Sequence, residues 1–405
     1  MSIVGLATLN AAWPGRGRLA VAEWGTVASQ NDGLIAAPES TPRVSVVMPV
    51  RDGGAFLADA VASVLGQSFA DLELLLIDDG SRDGAVAALA QLALRVPRLR
   101  LLKNPGAGLV AALNYGLSQA RAELVARMDA DDVALPERLA RQVAFLDASP
   151  DIALVGAQVA YVDATGAPTG ERSNFPTAPE AVAAALTTRG CIIRHPTILA
   201  RKAALAAAGA YRAVCDRAED YDLWLRLAER ARLANLPEVL LDYRVHGRQI
   251  SAGINLDQRF ARDLAIVAAR ARRAGRTDPL DGADQAVRFD RPLPAGWAVP
   301  PSVAALIAAY GALAWFEGRA APPPDRSALL NLVACARDAL LGDGRRYRAL
   351  SLCRAAHFAT QRRDWRLAGQ AAALALRVAP GRAARWLTAA DLAPDGDICG
   401  TVGLQ

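Results

Sequence analysis

Apolar residues follow two rhythms along the first half of the chain. The runs VSVVM (Val44–Met48) and LELLLI (Leu72–Ile77) predict buried strands, and between them Phe56, Leu57, Ala60, Val61, Val64 and Leu65 recur at the helical period. The alternation continues with a helical stretch near Ala85–Val96, a strand at Leu99–Leu102, an alanine-rich helix from about Ala107 to Gln119 and a strand at Glu123–Met128. Strands spaced by helices predict an α/β fold with a mostly parallel sheet covered on both faces. Ligands of such sheets bind beyond the carboxyl ends of the strands. The acidic runs fall there: Asp78-Asp79-Gly80-Ser81 closes the second strand, and Asp129-Ala130-Asp131-Asp132 closes the fourth.

After Gln258 the rhythm changes to Ala and Arg runs with helical periodicity, broken by prolines at Pro292–Pro301 and Pro322–Pro324. The expected organisation is a loose leader over 1–41, a catalytic domain over 42–257 and an α-helical region over 258–405, as a chain of 405 residues exceeds the usual single domain. The stretch Asp364–Pro380, with Trp365, Ala368, Ala372 and Ala375, resembles one tetratricopeptide-like helix without a second copy. No charge occurs between Arg291 and Glu317, but the prolines confine a helix there to about Val303–Phe316, too short to span a bilayer.

Composition adds little that contradicts this. Hydrophobic residues at 53% against 21% charged ones exclude global disorder. The cysteines Cys191, Cys215, Cys335, Cys353 and Cys399 are odd in number and at no metal-ligand spacing, which points to a reducing cytoplasm rather than a disulfide framework. The positive excess sits in residues 258–405, which hold 21 Arg against 13 acidic residues. Such a tail can favour peripheral contact with the inner face of a membrane, or arise from an Arg-rich composition alone. No nucleic-acid partner is expected.

The sharpest chemistry lies in Asp129, Asp131 and Asp132. Three carboxylates within four residues repel one another unless a cation neutralises them, and carboxylate oxygens suit Mg²⁺ or Mn²⁺, whose remaining positions accept phosphate oxygens and water. The structural alternative is a solvated acidic turn capping a helix that starts at Pro136. Asp78 and Asp79 have their own alternative, an Asx turn ahead of Ser81.

Six segments in order, Pro49-Val50-Arg51-Asp52-Gly53-Gly54, Ile77-Asp78-Asp79-Gly80-Ser81, Ala111-Ala112-Leu113-Asn114-Tyr115-Gly116, Ala126 to Asp132, Glu219 to Arg226 and Tyr243-Arg244-Val245-His246, together resemble glycosyltransferase family 2, the inverting enzymes of GT-A fold. The resemblance covers just over half the chain. It implies that Asp79 accepts the uracil N3 hydrogen, that the base lies against Pro49, Val50, Arg51 and Asp52, and that Asp129 and Ala130 shape the ribose side. It assigns Asp131 and Asp132 to metal and diphosphate, with His246 as a further metal contact, and Asp220 to the general base. Arg51 stands where the family often has an aromatic, so its planar guanidinium would stack on the base. Asp52 stands in place of a frequent Asn. Arg127, Arg226 and Arg244 are further phosphate-binding candidates, unranked among so many arginines, and His195 is chiefly a turn residue.

The implied activity is metal-dependent, inverting transfer of a sugar from a nucleotide diphosphate, UDP above others, to a hydroxyl acceptor of a surface polysaccharide or glycolipid. The sugar and the acceptor would be read by loops between about Asp163 and Cys215. A pyrophosphorylase would need more glycines than PVRDGG offers, and a dehydrogenase would need G-x-G-x-x-G there. The non-enzymatic alternative is an inactive transferase-like scaffold binding a protein or membrane through the basic tail.

Overall fold

The computed structural model describes residues 41–188, 190–247, 256–319, 323–338, 340 and 345–388. The expected leader, apart from Thr41, and Cys399 lie outside the described residues. The described chain forms two compact units, 41–212 with 223–247 and 213–222 with 256–388.

The first unit is built on the strands β1 (Val44–Val50), β2 (Leu72–Asp78), β3 (Leu99–Lys103) and β4 (Leu124–Arg127). β1 is buried along its whole length because it lies between β2 and β4, parallel to both, with helices over its faces. Helix α1 (Leu57–Leu65) turns Leu57, Val61, Val64 and Leu65 inward, at the spacing read from the sequence. The stretch expected as one helix near Ala85–Val96 is two short ones, α2 (Ala85–Ala88) and α3 (Ala90–Arg95), joined at the buried Leu89. Helix α4 (Leu109–Gln119) then crosses β1 and β2 closely. A Cβ on Gly116 would come within 2.4 Å of Val47 Cγ1, so only glycine permits this approach. At the far end of the sheet, the buried Glu73 of β2 accepts from Ser45 Oγ at 2.7 Å, Arg121 Nε at 2.9 Å and Arg100 Nη1 at 3.0 Å, pinning neighbouring segments to one register.

Past β4 the pairing becomes mixed. The remaining elements are β5 (Val133–Ala134), α5 (Arg138–Ala148), β6 (Ile152–Val162), β7 (Pro168–Arg172), α6 (Pro179–Thr188), β8 (Leu199–Arg201), α7 (Lys202–Ala207), α8 (Glu219–Ala228) and β9 (Arg232–Arg244). The sheet order is β3-β2-β1-β4-β8-β6-β9-β5, with β7 beside β6. β8 runs antiparallel to β4 and β6, and β5 antiparallel to β9, while β6 and β9 are parallel. A parallel neighbour needs a long crossover, which the helices before β4 provide; β6 and β7, separated only by residues 163–167, pair antiparallel. The region from Asp163 to Cys215 is therefore not merely loops: it holds β7, α6, β8 and α7.

The second unit is helical. It contains α9 (Leu256–Arg273), α10 (Pro301–Phe316), α11 (Arg326–Arg337), α12 (Arg345–Gln361), α13 (Trp365–Val378) and α14 (Pro380–Thr388), together with 213–222 and so the first residues of α8. Tyr310 donates to the buried Asp263 carboxylate at 2.7 Å, and the rings of Phe260, Phe289 and Tyr310 pack around that bond. The helix expected near Asp364 is present, its first turn capped by Asp364 accepting from Leu367 N at 3.1 Å. Trp365 is 67% exposed, so its ring does not serve as the buried knob of a tetratricopeptide pair. No helix among the described residues is long and apolar enough to cross a membrane.

The close approach of α4 to β1 yields a test. Gly116→Ala should destabilise the protein by about 1–3 kcal/mol, because Val47 lies in a strand that cannot move. Gly311→Ala in α10, where an added Cβ meets nothing within 4 Å, should leave stability unchanged or raise it. Thermal denaturation of the two variants reads the difference.

Candidate active site

The strand order creates a crevice. From β1 the chain goes to β2 and β3 on one side, then returns to place β4 on the other side of β1, so the loops leaving β1 and β4 diverge at their carboxyl ends. The loops after β1, β2 and β4 carry the residues singled out in the sequence.

Around β2 the two adjacent aspartates take different roles. Asp78 Oδ1 accepts from Ser81 N at 2.9 Å and makes the turn that the sequence offered as the structural alternative. Asp79 points elsewhere. Its Oδ1 accepts from Asn104 Nδ2 at 2.7 Å and from Gly108 N at 3.0 Å, and its Oδ2 lies 3.9 Å from Arg51 Nη1. Its amide donates to Val50 O at 2.8 Å, which fastens this loop to the end of β1. Pro49 and Val50 are buried in β1, so their side chains belong to the core, whereas Arg51 is exposed. Asp52 adopts a left-handed backbone (φ 52°), and its carboxylate accepts from Arg82 N at 2.7 Å while its own amide donates to Ser81 Oγ at 3.1 Å. Asp52 thus laces the first two loops together.

Beyond β4, Asp129, Asp131 and Asp132 each offer a carboxylate oxygen, and the three oxygens lie within 4.8 Å of one another. Asp132 is only 1% exposed. Its Oδ1 accepts from Arg244 N at 2.8 Å, whereas its Oδ2 is buried without a hydrogen-bond partner. Burial, and then the charges of Asp129 and Asp131, push its carboxyl well above the ordinary range. A helix-capping role is excluded by geometry: α5 starts at Arg138, and its cap position is Glu137, without a side-chain cap. Three convergent carboxylates, one of which keeps a buried oxygen without a hydrogen-bond partner, fit a hard divalent cation.

The surroundings are cationic but largely committed. Arg127 pairs with Asp129. Arg138, 1% exposed beneath the cluster, donates to Arg127 O at 2.8 Å and Ile198 O at 3.2 Å; burial lowers its pKa to about 9 against the opposing pull of Asp132. Arg244 donates from Nε to Asp131 O at 2.8 Å and lies 4.7 Å over the Phe56 ring. His246 Nε2 is 2.9 Å from Asp131 Oδ2, with its ring 5.0 Å from Phe56. The structure therefore brings His246 to the triad, with Phe56 and Arg244 beside them. Phe56 read only as part of a helical face, and Arg244 was lost among abundant arginines.

His195 is buried, 2.8 Å from Tyr211 Oη and in edge contact with the Trp224 ring. Burial, then the Arg127 charge, hold its imidazole well below its ordinary pKa, which keeps it neutral. Arg226 donates to the Ala208 and Ala210 carbonyls, a structural clamp. Asp220 lies in the first turn of α8, within the 213–222 segment of the second unit, and its Oδ1 accepts from Tyr221 N at 2.6 Å.

Comparison with known proteins gives this arrangement its family. The sequence profile of Glycosyl transferase family 2 matches residues 45–206, from β1 through α7. EpsE of Bacillus subtilis (strain 168), named provisionally as a glycosyltransferase, is 38% identical over 210 residues, 51% of this chain and 74% of EpsE. The O-antigen biosynthesis glycosyltransferase WbnJ of Escherichia coli is 29% identical over 51% of this chain and 80% of its own. Among solved structures, S. aureus TarS 1-349 in complex with UDP-GlcNAc aligns with a TM-score of 0.52 at 16% identity, covering 83% of this chain and 91% of that one, a likeness of fold. On the strength of the profile and of a relative at 38% identity, the chain belongs to glycosyl transferase family 2 and is a glycosyltransferase with a GT-A type fold.

Proposed function

We propose that the protein transfers a sugar, with inversion, from a UDP-linked donor to a hydroxyl of a growing surface polysaccharide or O-antigen-type glycan, and that the transfer depends on Mg²⁺ or Mn²⁺. The observation that carries this reading is the buried, partnerless Asp132 Oδ2 among three convergent carboxylates at the sheet's crevice. The names of WbnJ and of TarS with UDP-GlcNAc support the acceptor class and the base. The catalytic domain in this proposal spans about 42–257, with 258–405 as an appended helical region, acting in the cytoplasm or peripherally at the membrane's inner face.

Asp131, Asp132 and His246 would hold the cation, with Asp129 beside it. When bound, it offsets the negative charge that gathers on the departing diphosphate. Asp79 Oδ2, which accepts from Gly108 N at 3.1 Å, keeps a further lone pair for the uracil N3–H. Arg51, exposed beside it, has a planar guanidinium that can lie on the base, while Pro49, Val50, Asp52 and Ala130 fix the backbone around the nucleoside. Asp220 acts as general base. It takes the proton of the acceptor hydroxyl as that oxygen bonds to the anomeric carbon, and the bond from that carbon to the diphosphate breaks on the opposite face, releasing UDP. The helix N-terminus stabilises the negative charge of Asp220 before the proton arrives.

A panel of nucleotide sugars assayed for release of nucleoside diphosphate tests the activity. Release should require Mn²⁺ or Mg²⁺, stop with EDTA, and fall by roughly 10²- to 10⁴-fold in Asp220→Asn, with a comparable loss in Asp131→Ala. Release that survives EDTA and both substitutions would overturn the assignment.

The buried charge gives a separate expectation for stability. The folded state holds the Asp132 proton more tightly than the unfolded chain does. The penalty is therefore absent below the unfolded value of about 4, grows as pH rises, and is complete above the raised folded value. Without metal, Asp132→Asn should be more stable than the parent by about 1–3 kcal/mol at neutral pH, with the gap closing towards pH 4. Adding Mn²⁺ should raise the parent's melting temperature and leave the variant's unchanged.

A further inference from the structure

Several buried and half-buried arginines of the first unit are spent on the fold. Arg138 bonds to two carbonyls and to Gln142, Arg201 to the carbonyls of Ile152, Leu146 and Ser149, and Arg98 to Leu65 O. Arg194 differs. Its guanidinium makes one side-chain hydrogen bond among the described residues, from Nη2 to Tyr161 Oη at 3.0 Å, and its Nε is buried without a partner. It forms no ion pair with a carboxylate of the described residues. Instead it lies 5.4 Å from the centroid of Tyr243 and 5.6 Å from that of Phe175, while Tyr161 and Tyr243 meet edge to face at 5.7 Å. All four side chains are half-buried.

Aromatic rings hold a guanidinium in place without neutralising it, and a guanidinium carries five N–H donors in a fork that matches a carboxylate or phosphate. The result is a positioned cation with unspent donors, bordered by partly exposed rings that offer a flat surface to the apolar face of a pyranose. Its location is also informative. Tyr243 directly precedes Arg244, whose amide holds Asp132.

We propose that Arg194, with Tyr161, Phe175 and Tyr243, forms a subsite for an acidic sugar of the acceptor glycan, the guanidinium taking its carboxylate or phosphate group and the rings its pyranose face. This rests on the transferase reading and adds the acceptor's chemical class. The sequence places Arg194 in the Asp163–Cys215 region expected to read the acceptor, but offers no motif for it.

Binding of three matched probes to the full chain tests the subsite: p-nitrophenyl β-D-glucoside, p-nitrophenyl β-D-glucuronide and p-nitrophenyl β-D-glucoside 6-phosphate. Each is titrated by calorimetry or ligand-observed NMR, with and without UDP and Mn²⁺. At least one acidic glycoside should bind roughly tenfold or more tightly than the neutral one, and which one does so tells a carboxylate from a phosphate. Arg194→Gln should abolish the preference and Tyr161→Phe should weaken it, with UDP affinity unchanged in both. Equal binding of all three probes, no detectable binding of either acidic one, or a preference that persists in Arg194→Gln would overturn the proposal. A failure of UDP to bind counts against the donor reading alone, because the preference is also measured without it.

Discussion

The first unit is organised around one electrostatic constraint: three carboxylates confined within 4.8 Å at the end of a buried strand. Left alone they destabilise the fold, since Asp132 is out of water and its Oδ2 has no donor. Proteins keep such an arrangement where something charged is brought to it. The neighbouring cations offset it only in part: Arg127 pairs with Asp129, while Arg138 is committed to carbonyls below and Arg244 meets Asp132 through its backbone amide and Asp131 through a carbonyl.

The rest of the first unit serves to hold that cluster rigid. The crevice exists because β1 lies between β2 and β4, all parallel, which brings three strand ends side by side. Asp52, Ser81 and the Asp79 amide lace the first two loops to β1, so this edge of the crevice is fixed by hydrogen bonds. Phe56 lies against both the Arg244 guanidinium and the His246 ring, and so links the start of α1 to the surroundings of the carboxylate cluster.

Much of this was legible in the sequence, for physical reasons. Continuous apolar runs such as LELLLI can only be strands buried on both faces, and the acidic runs that end them mark the ligand edge of the sheet. The order of six short segments carried the family, and in the fold His246 of the last segment lies beside Asp131 of the fourth. What stayed hidden depends on long-range pairing. β8, three residues long, is too short to show a period, so the stretch from Asp163 to Cys215 that holds it was expected as loops. Residue chemistry alone does not divide the Asp78 and Asp79 pair, which the resemblance did by singling out Asp79, since the turn bond of one and the interloop bonds of the other use the same groups. Arg194 is invisible for a similar reason. Its character comes from rings contributed by β6, β9 and the segment before α6, remote in sequence.

The central claim is that the triad's charge exists to be shared between a cation and a diphosphate. Calorimetric titration of UDP into the protein, with Mn²⁺ and again with EDTA, tests it most directly. Metal should raise UDP affinity by at least about tenfold, the span of an ordinary coupling energy, and UDP in turn should raise the affinity for Mn²⁺ by the same factor. Equal UDP affinity with and without the metal would contradict it.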